Sequence, residues 1–140
     1  MDDDYRPGGN SGIAVGNRDL PTTDFTISFV EIREVAFAGM LIKADNQDNQ
    51  GPFTMRNVYL HDNYIHDVGS EGMYIGSTNS GREQHSFENL KLSNNRILRT
   101  GTEGLQAGQL GGGCEIHNNV IALSAIDWKD AFQNYQDMSV

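Results

Sequence analysis

Cysteine is nearly missing: Cys114 stands alone among 140 residues, so no internal disulfide framework can hold the fold together. No run approaches the roughly 18 apolar residues of a membrane-spanning helix, and none is expected. Basic residues are scarce, with 10 Lys+Arg against 19 Asp+Glu and a formal net charge of -9. That balance argues against nucleic acid or an anionic membrane as partner, because both attract basic patches. The opening stretch MDDDYRPGGNSG lacks a basic region and an apolar region, so it is not expected to act as a signal peptide. Proline occurs only three times, whereas 16 glycines and many asparagines point to frequent tight turns rather than long helices. The length suits one domain with a real core.

What the chain has in quantity is self-similarity. FTISFVEIREVAFAGMLI (25–42) aligns with VYLHDNYIHDVGSEGMYI (58–75) at a constant shift of 33. Apolar residues coincide at Phe25/Val58, Ile27/Leu60, Ile32/Ile65, Val35/Val68, Met40/Met73 and Ile42/Ile75. A further shift of 32 brings in LKLSNNRILRTGTEGLQA (90–107), and one of 24 brings in CEIHNNVIALSAIDW (114–128). Each copy reads as short alternating strands between turns. Strands that short cannot bury an apolar face alone, but stacked copies make a continuous core with parallel ladders between rungs.

The segments LHDNYIHDVGSEGMYIG, LSNNRILRTGTEGLQAG and IHNNVIALSAID resemble the right-handed parallel β-helix repeat of pectate-lyase-like, polysaccharide-active proteins. The resemblance covers roughly residues 12–133. The expected fold is therefore an all-β solenoid of about four rungs, spanning 25–56, 57–88, 89–112 and 113–140, with 12–16 as the end of a truncated rung. The absence of obvious caps suggests a fragment of a longer β-helix, with end-to-end or lateral self-association through open strand edges. The resemblance implies an extracellular or cell-surface protein that binds or acts on an acidic polysaccharide. A polysaccharide lyase is the first enzymatic form and a glycoside hydrolase the second. The rival reading is a non-catalytic surface, adhesive or fibre-forming solenoid.

Repeat columns decide which polar residues can meet. Asn63, Asn95 and Asn119 share one turn position and are expected to form a buried amide ladder. His61 and His117 are two rungs apart, roughly 9.5 Å, too far to share one zinc ion. Glu71 stacks on Glu103 and, if the register holds, on Asp127, at a spacing of about 4.8 Å. Stacked carboxylates repel. They are either solvated turn acids or a site for calcium or acid/base chemistry. The outward positions of the adjoining strand are Leu41, Tyr74 and Gln106. By resemblance that strand borders a substrate groove, which makes Tyr74 and Gln106 candidate sugar contacts. Arg82 and His85, in the loop 76–88, could provide the positive group and base of a lyase. Trp128 is either a sugar-stacking platform or a packed apolar residue.

Overall fold

A computed structural model of the chain describes residues 10–16, 22–43, 53–76 and 85–126, together with the backbone of Met138–Ser139. Arg82, Asp127 and Trp128 lie outside the described residues. Thirteen strands are present among the described residues: β1 (Ile13–Val15), β2 (Phe25–Ser28), β3 (Glu31–Arg33), β4 (Met40–Ile42), β5 (Thr54–His61), β6 (Tyr64–Val68), β7 (Met73–Ile75), β8 (Ser86–Ser93), β9 (Arg96–Thr100), β10 (Leu105–Ala107), β11 (Glu115–His117), β12 (Val120–Ala122) and β13 (Met138–Ser139). They form three parallel sheets, ordered β1-β4-β7-β10-β13, β11-β8-β5-β2 and β12-β9-β6-β3. Every third strand in sequence pairs, so the chain coils through the three sheets once per rung. The fold is an all-β parallel β-helix of about four rungs.

The registers are those of the repeat alignment. Phe25 pairs with Val58, Ile32 with Ile65, Met40 with Met73, Ile97 with Ile121, and Leu92 with Ile116. Inward positions stack into one core that includes Met40, Ile42, Leu60, Ile65, Met73, Ile75, Leu92, Ile97 and Leu105, all essentially inaccessible. Two core positions escape the alignment. Met55 and Phe87 are fully buried in β5 and β8, whose ladder already begins at Thr54↔Ser86. The segments 43–56 and 76–88 therefore give way to strand before their ends, because TMR and SFE continue the alternation of the strands that follow.

Corners are made by residues with positive φ, stacked in columns. Asp24, Asn57, Asn89 and Gly113 form one; Phe29, Asp62, Asn94 and Asn118 a second; Glu34, Asp67, Arg99 and Leu123 a third. Asn and Asp tolerate this left-handed conformation because their short polar side chains bond locally. That explains the abundance of Asx residues better than turn frequency alone. Just inside the second column runs the expected ladder. Asn63 Nδ2 donates to Asn95 Oδ1 at 3.0 Å, and Asn95 Nδ2 donates to Asn119 Oδ1 at 2.9 Å. The same amides cap Ile27 O, Leu60 O and Leu92 O.

Where glycines stack between rungs there is no room for a Cβ. A Cβ added to Gly72 would meet Ile97 Cγ2 and lie 2.5 Å from the carbonyl oxygen of Gly104 on the next rung. Backbone cannot yield there without opening the ladder. Gly72→Ala should destabilise the fold by about 1–3 kcal/mol, the range for overpacking, readable as a lower urea midpoint.

Candidate functional site

The strands β4, β7 and β10 turn Leu41, Tyr74 and Gln106 to the outside in direct register, with Ala14 of β1 beside Leu41. Inward neighbours Met40, Met73 and Leu105 on one side and Ile42, Ile75 and Ala107 on the other are buried, so the middle residue of each three-residue strand must face out. Lys43 follows β4 and is held by its amide bond to Val15 O at 3.0 Å. Its Nζ lies 3.4 Å from the centroid of the Tyr74 ring, a close cation–π contact. Lys43, Tyr74 and Gln106 thus present an ammonium, an aromatic ring and an amide on adjacent rungs. Tyr74 and Gln106 were legible as outward positions; Lys43 was not, because it lies one residue beyond the strand.

The carboxylates come from the turns that precede β7 and β10. These turns repeat one pattern, GSEG at 69–72 and GTEG at 101–104. Gly39 N bonds to Glu71 O at 2.9 Å and Gly72 N to Glu103 O at 3.0 Å, so Ala38, Glu71 and Glu103 form one column. The column is not solvated. Ala38 is fully enclosed, Glu71 is 3% exposed and Glu103 is 4% exposed. Hydroxyls line the same turns, with Ser70 Oγ 3.3 Å from Thr102 Oγ1 and Thr100 Oγ1 donating to Thr102 O at 2.8 Å. One oxygen of each acid, Oε2 of Glu71 and Oε2 of Glu103, has no hydrogen-bond partner among the described residues.

Burial pushes the Glu71 carboxyl above the usual carboxylate range, and the charge of Glu103 pushes the same way. Hydrogen bonds from the Ser70 side chain and from its own backbone, with the Lys43 charge, pull it partly back. The chemistry this allows is proton retention inside a stacked pair. Neither carboxyl reaches the outer surface in this arrangement, as a group acting on a bound sugar must. The two orphan oxygens also fall short of the six to eight that calcium takes, and no cluster of three or more His, Cys, Asp or Glu able to hold a metal occurs among the described residues.

His85 sits at the head of β8 and is 2% exposed. Its ring stacks on Phe53, with centroids 4.9 Å apart and planes 6° apart, and meets Phe87 edge-on at 5.3 Å. So placed, it is part of an aromatic plug beside the core. Its burial follows from the same alternation that buries Phe87 two residues later.

A polar cluster that column-by-column reading separates lies on the β3-β6-β9 sheet. His66 is 7% exposed and stacks on Tyr64, with ring centroids 4.2 Å apart. Its Nδ1 is 2.5 Å from Asp67 Oδ2 and its Nε2 is 3.0 Å from Glu31 Oε1. Arg99 donates to both Asp67 oxygens, at 2.7 and 2.6 Å. With Nδ1–H donating to Asp67, the 3.2 Å approach of Arg99 Nη2 to Nδ1 brings two donors together, and the Arg99 charge works against protonation. Asp67 and Arg99 are column mates one rung apart, and the His66 link crosses columns. His61 and His117 flank Ser93 in the ladder, as the two-rung separation requires.

Comparison with protein-family models, with curated proteins and with solved structures gives no match for this chain.

Proposed function

We propose that this chain is the carbohydrate-binding part of a secreted β-helix protein that engages an acidic polysaccharide across the outward face of β4, β7 and β10. The observation that carries this reading is the Lys43 ammonium 3.4 Å from the Tyr74 ring, with Gln106 in register on the next rung. A uronate matches those three groups: its carboxylate to Lys43, the C–H face of the ring to Tyr74, and hydroxyls to Gln106. The spacing of roughly 4.8 Å between rungs is also close to the size of one sugar ring.

Binding without cleavage is the form the geometry supports best. The acids Glu71 and Glu103 and the imidazole of His85 are all enclosed, so none presents a base or acid to that face. A lyase would draw on residues outside those described, Arg82 among them.

The test is a panel of uronate polysaccharides, each assayed by affinity electrophoresis and at 235 nm for unsaturated product, with and without calcium. Retardation on at least one uronate polymer, without product, is the expected result. Retardation by none of them sinks the reading, and product formation replaces it by a lyase. Tyr74→Ala should weaken binding by about tenfold, since loss of an aromatic platform and its cation partner costs on the order of 1–2 kcal/mol.

A further inference from the structure

The corner between β2 and β3, and between β5 and β6 and β8 and β9 on the next rungs, holds a feature that the proposed face does not use. An open pocket of about 330 Å³ lies there, lined by Phe29, Asp62, Asn63, Tyr64, Asn94 and Arg96. That volume is at the lower end for a small-molecule site and suits one or two sugar residues. The lining comes from three successive rungs, so the pocket runs along the helix axis for roughly 9.6 Å.

Phe29 is the residue the fold does not ask for. Its column otherwise holds Asp62, Asn94 and Asn118, residue types that accept a positive φ. Phe29 adopts φ 56° and is 79% exposed. A bulky residue in that conformation is strained, and leaving its ring in water forfeits its burial as well. Leu123 shares exposure and positive φ in the third corner column but does not line the pocket. The Phe29 ring is steadied edge-on by His61, at 5.9 Å and 85°. Arg96 also lines the pocket, exposed and with no ion pair among the described residues, and pairs with Tyr64 in the ladder. Asn94 is exposed at the adjoining corner, and Asp62 is held by His61 Nδ1 at 2.7 Å.

We infer that this corner pocket is a second subsite, for a sugar residue carrying a carboxylate. Phe29 and Tyr64 supply apolar faces for the ring, the Arg96 fork takes the carboxylate, the Asn94 amide accepts from or donates to hydroxyls, and Asp62 accepts from them. A neutral sugar leaves the Arg96 fork unanswered, which gives the selectivity. The inference rests on the reading of the chain as a uronate binder but concerns a different face.

The experiment titrates the full ¹⁵N-labelled chain with trigalacturonate and with neutral galactotriose, following amide shifts and calorimetric stoichiometry. Two trigalacturonate sites are expected, one shifting 29, 62–64 and 94–96. Phe29→Asn should abolish that site while holding or raising the melting temperature, because Asn suits the column. Arg96→Gln should weaken it by at least about tenfold and remove its preference for the acid over the neutral sugar. Lys43→Gln should affect only the other site. The inference is overturned if the corner shifts survive Phe29→Asn, or if galactotriose binds there equally well. It also fails if trigalacturonate perturbs only the Tyr74 face, an outcome that leaves the proposed function standing. Corner binding unaffected by Lys43→Gln and Tyr74→Ala, with no second site, upholds the inference and removes the proposed face. No binding of trigalacturonate at all removes both.

Discussion

Asn95→Leu should lower the unfolding free energy by about 3 kcal/mol or more, at or above the top of the range expected for Gly72→Ala. Asn95 is 1% exposed and is the middle of the amide ladder. Its Oδ1 accepts from the Asn63 amide N–H at 3.1 Å and from Asn63 Nδ2 at 3.0 Å, and its Nδ2 donates to Leu60 O at 2.9 Å. A leucine of similar size fills the space but leaves three buried groups without partners, at roughly 1–3 kcal/mol each. Because each rung contacts only its neighbours, the damage falls on the interface between the second and third rungs. Asn119→Leu should cost less, since Asn119 is only half-buried and water can replace part of what is lost. Urea midpoints of the two variants, compared with the parent, check the order. Equal and small losses would mean that the ladder is incidental to the fold.

Stability should rise as the solution is taken from pH 8 to about pH 5, and Glu71→Gln should flatten much of that rise. The Glu71 carboxyl is raised above its ordinary 4.5 first by burial and then by Glu103. The folded state therefore keeps a proton that the unfolded chain releases, so stability falls as pH climbs from about 4.5 through the folded value. His66 acts in the same direction. Its hydrogen bond to Asp67 raises it above 6.5, Glu31 adds to this, and burial and Arg99 oppose. That contribution is full below 6.5 and is lost as pH rises through the folded value. Asp67 works the opposite way. Arg99, then His66, hold it well below the usual carboxylate range, so its contribution is present above 3.8 and is lost only in strong acid. Together these place the optimum between the ordinary Asp and Glu values, 3.8 and 4.5, well on the acid side of neutrality. At pH 7.5 Glu71→Gln should exceed the parent in stability by about 1 kcal/mol, the scale of like charges opposed in a sheet. The gap should close near pH 4, where both states of the parent are protonated. A gap that persists at pH 4 would point to packing rather than charge.

The architecture was legible because a solenoid repeats its inward residues at a fixed shift. Six coincident apolar pairs between the first two copies were enough to set the register. The alignment stopped short at Met55 and Phe87, where alternation extends upstream of the aligned blocks, and at Phe29, whose neighbours in the column are Asx residues. The outward column of Leu41, Tyr74 and Gln106 followed from strand parity alone. Burial did not: spacing and charge repulsion left stacked carboxylates as either solvated or functional, and neither reading shows that the repeated Gly-Ser/Thr-Glu-Gly turn folds Glu71 and Glu103 inward among hydroxyls. His85 reads as part of the loop 76–88, and the alternation that buries it with Phe87 begins upstream of the aligned block, while Phe53, which stacks on it, comes from the previous rung. Contacts between neighbouring columns, such as Lys43 with Tyr74 and His66 with Asp67 and Arg99, depend on side-chain direction that one-dimensional spacing does not carry.

The most direct measurement of the central claim is amide-shift mapping of a uronate oligomer on the labelled chain, read at the face of β4, β7 and β10. Perturbation of residues 41–43, 73–75 and 105–107, lost on Lys43→Gln and Tyr74→Ala, is the predicted result. Those residues staying still while every tested uronate oligomer is in excess would contradict it.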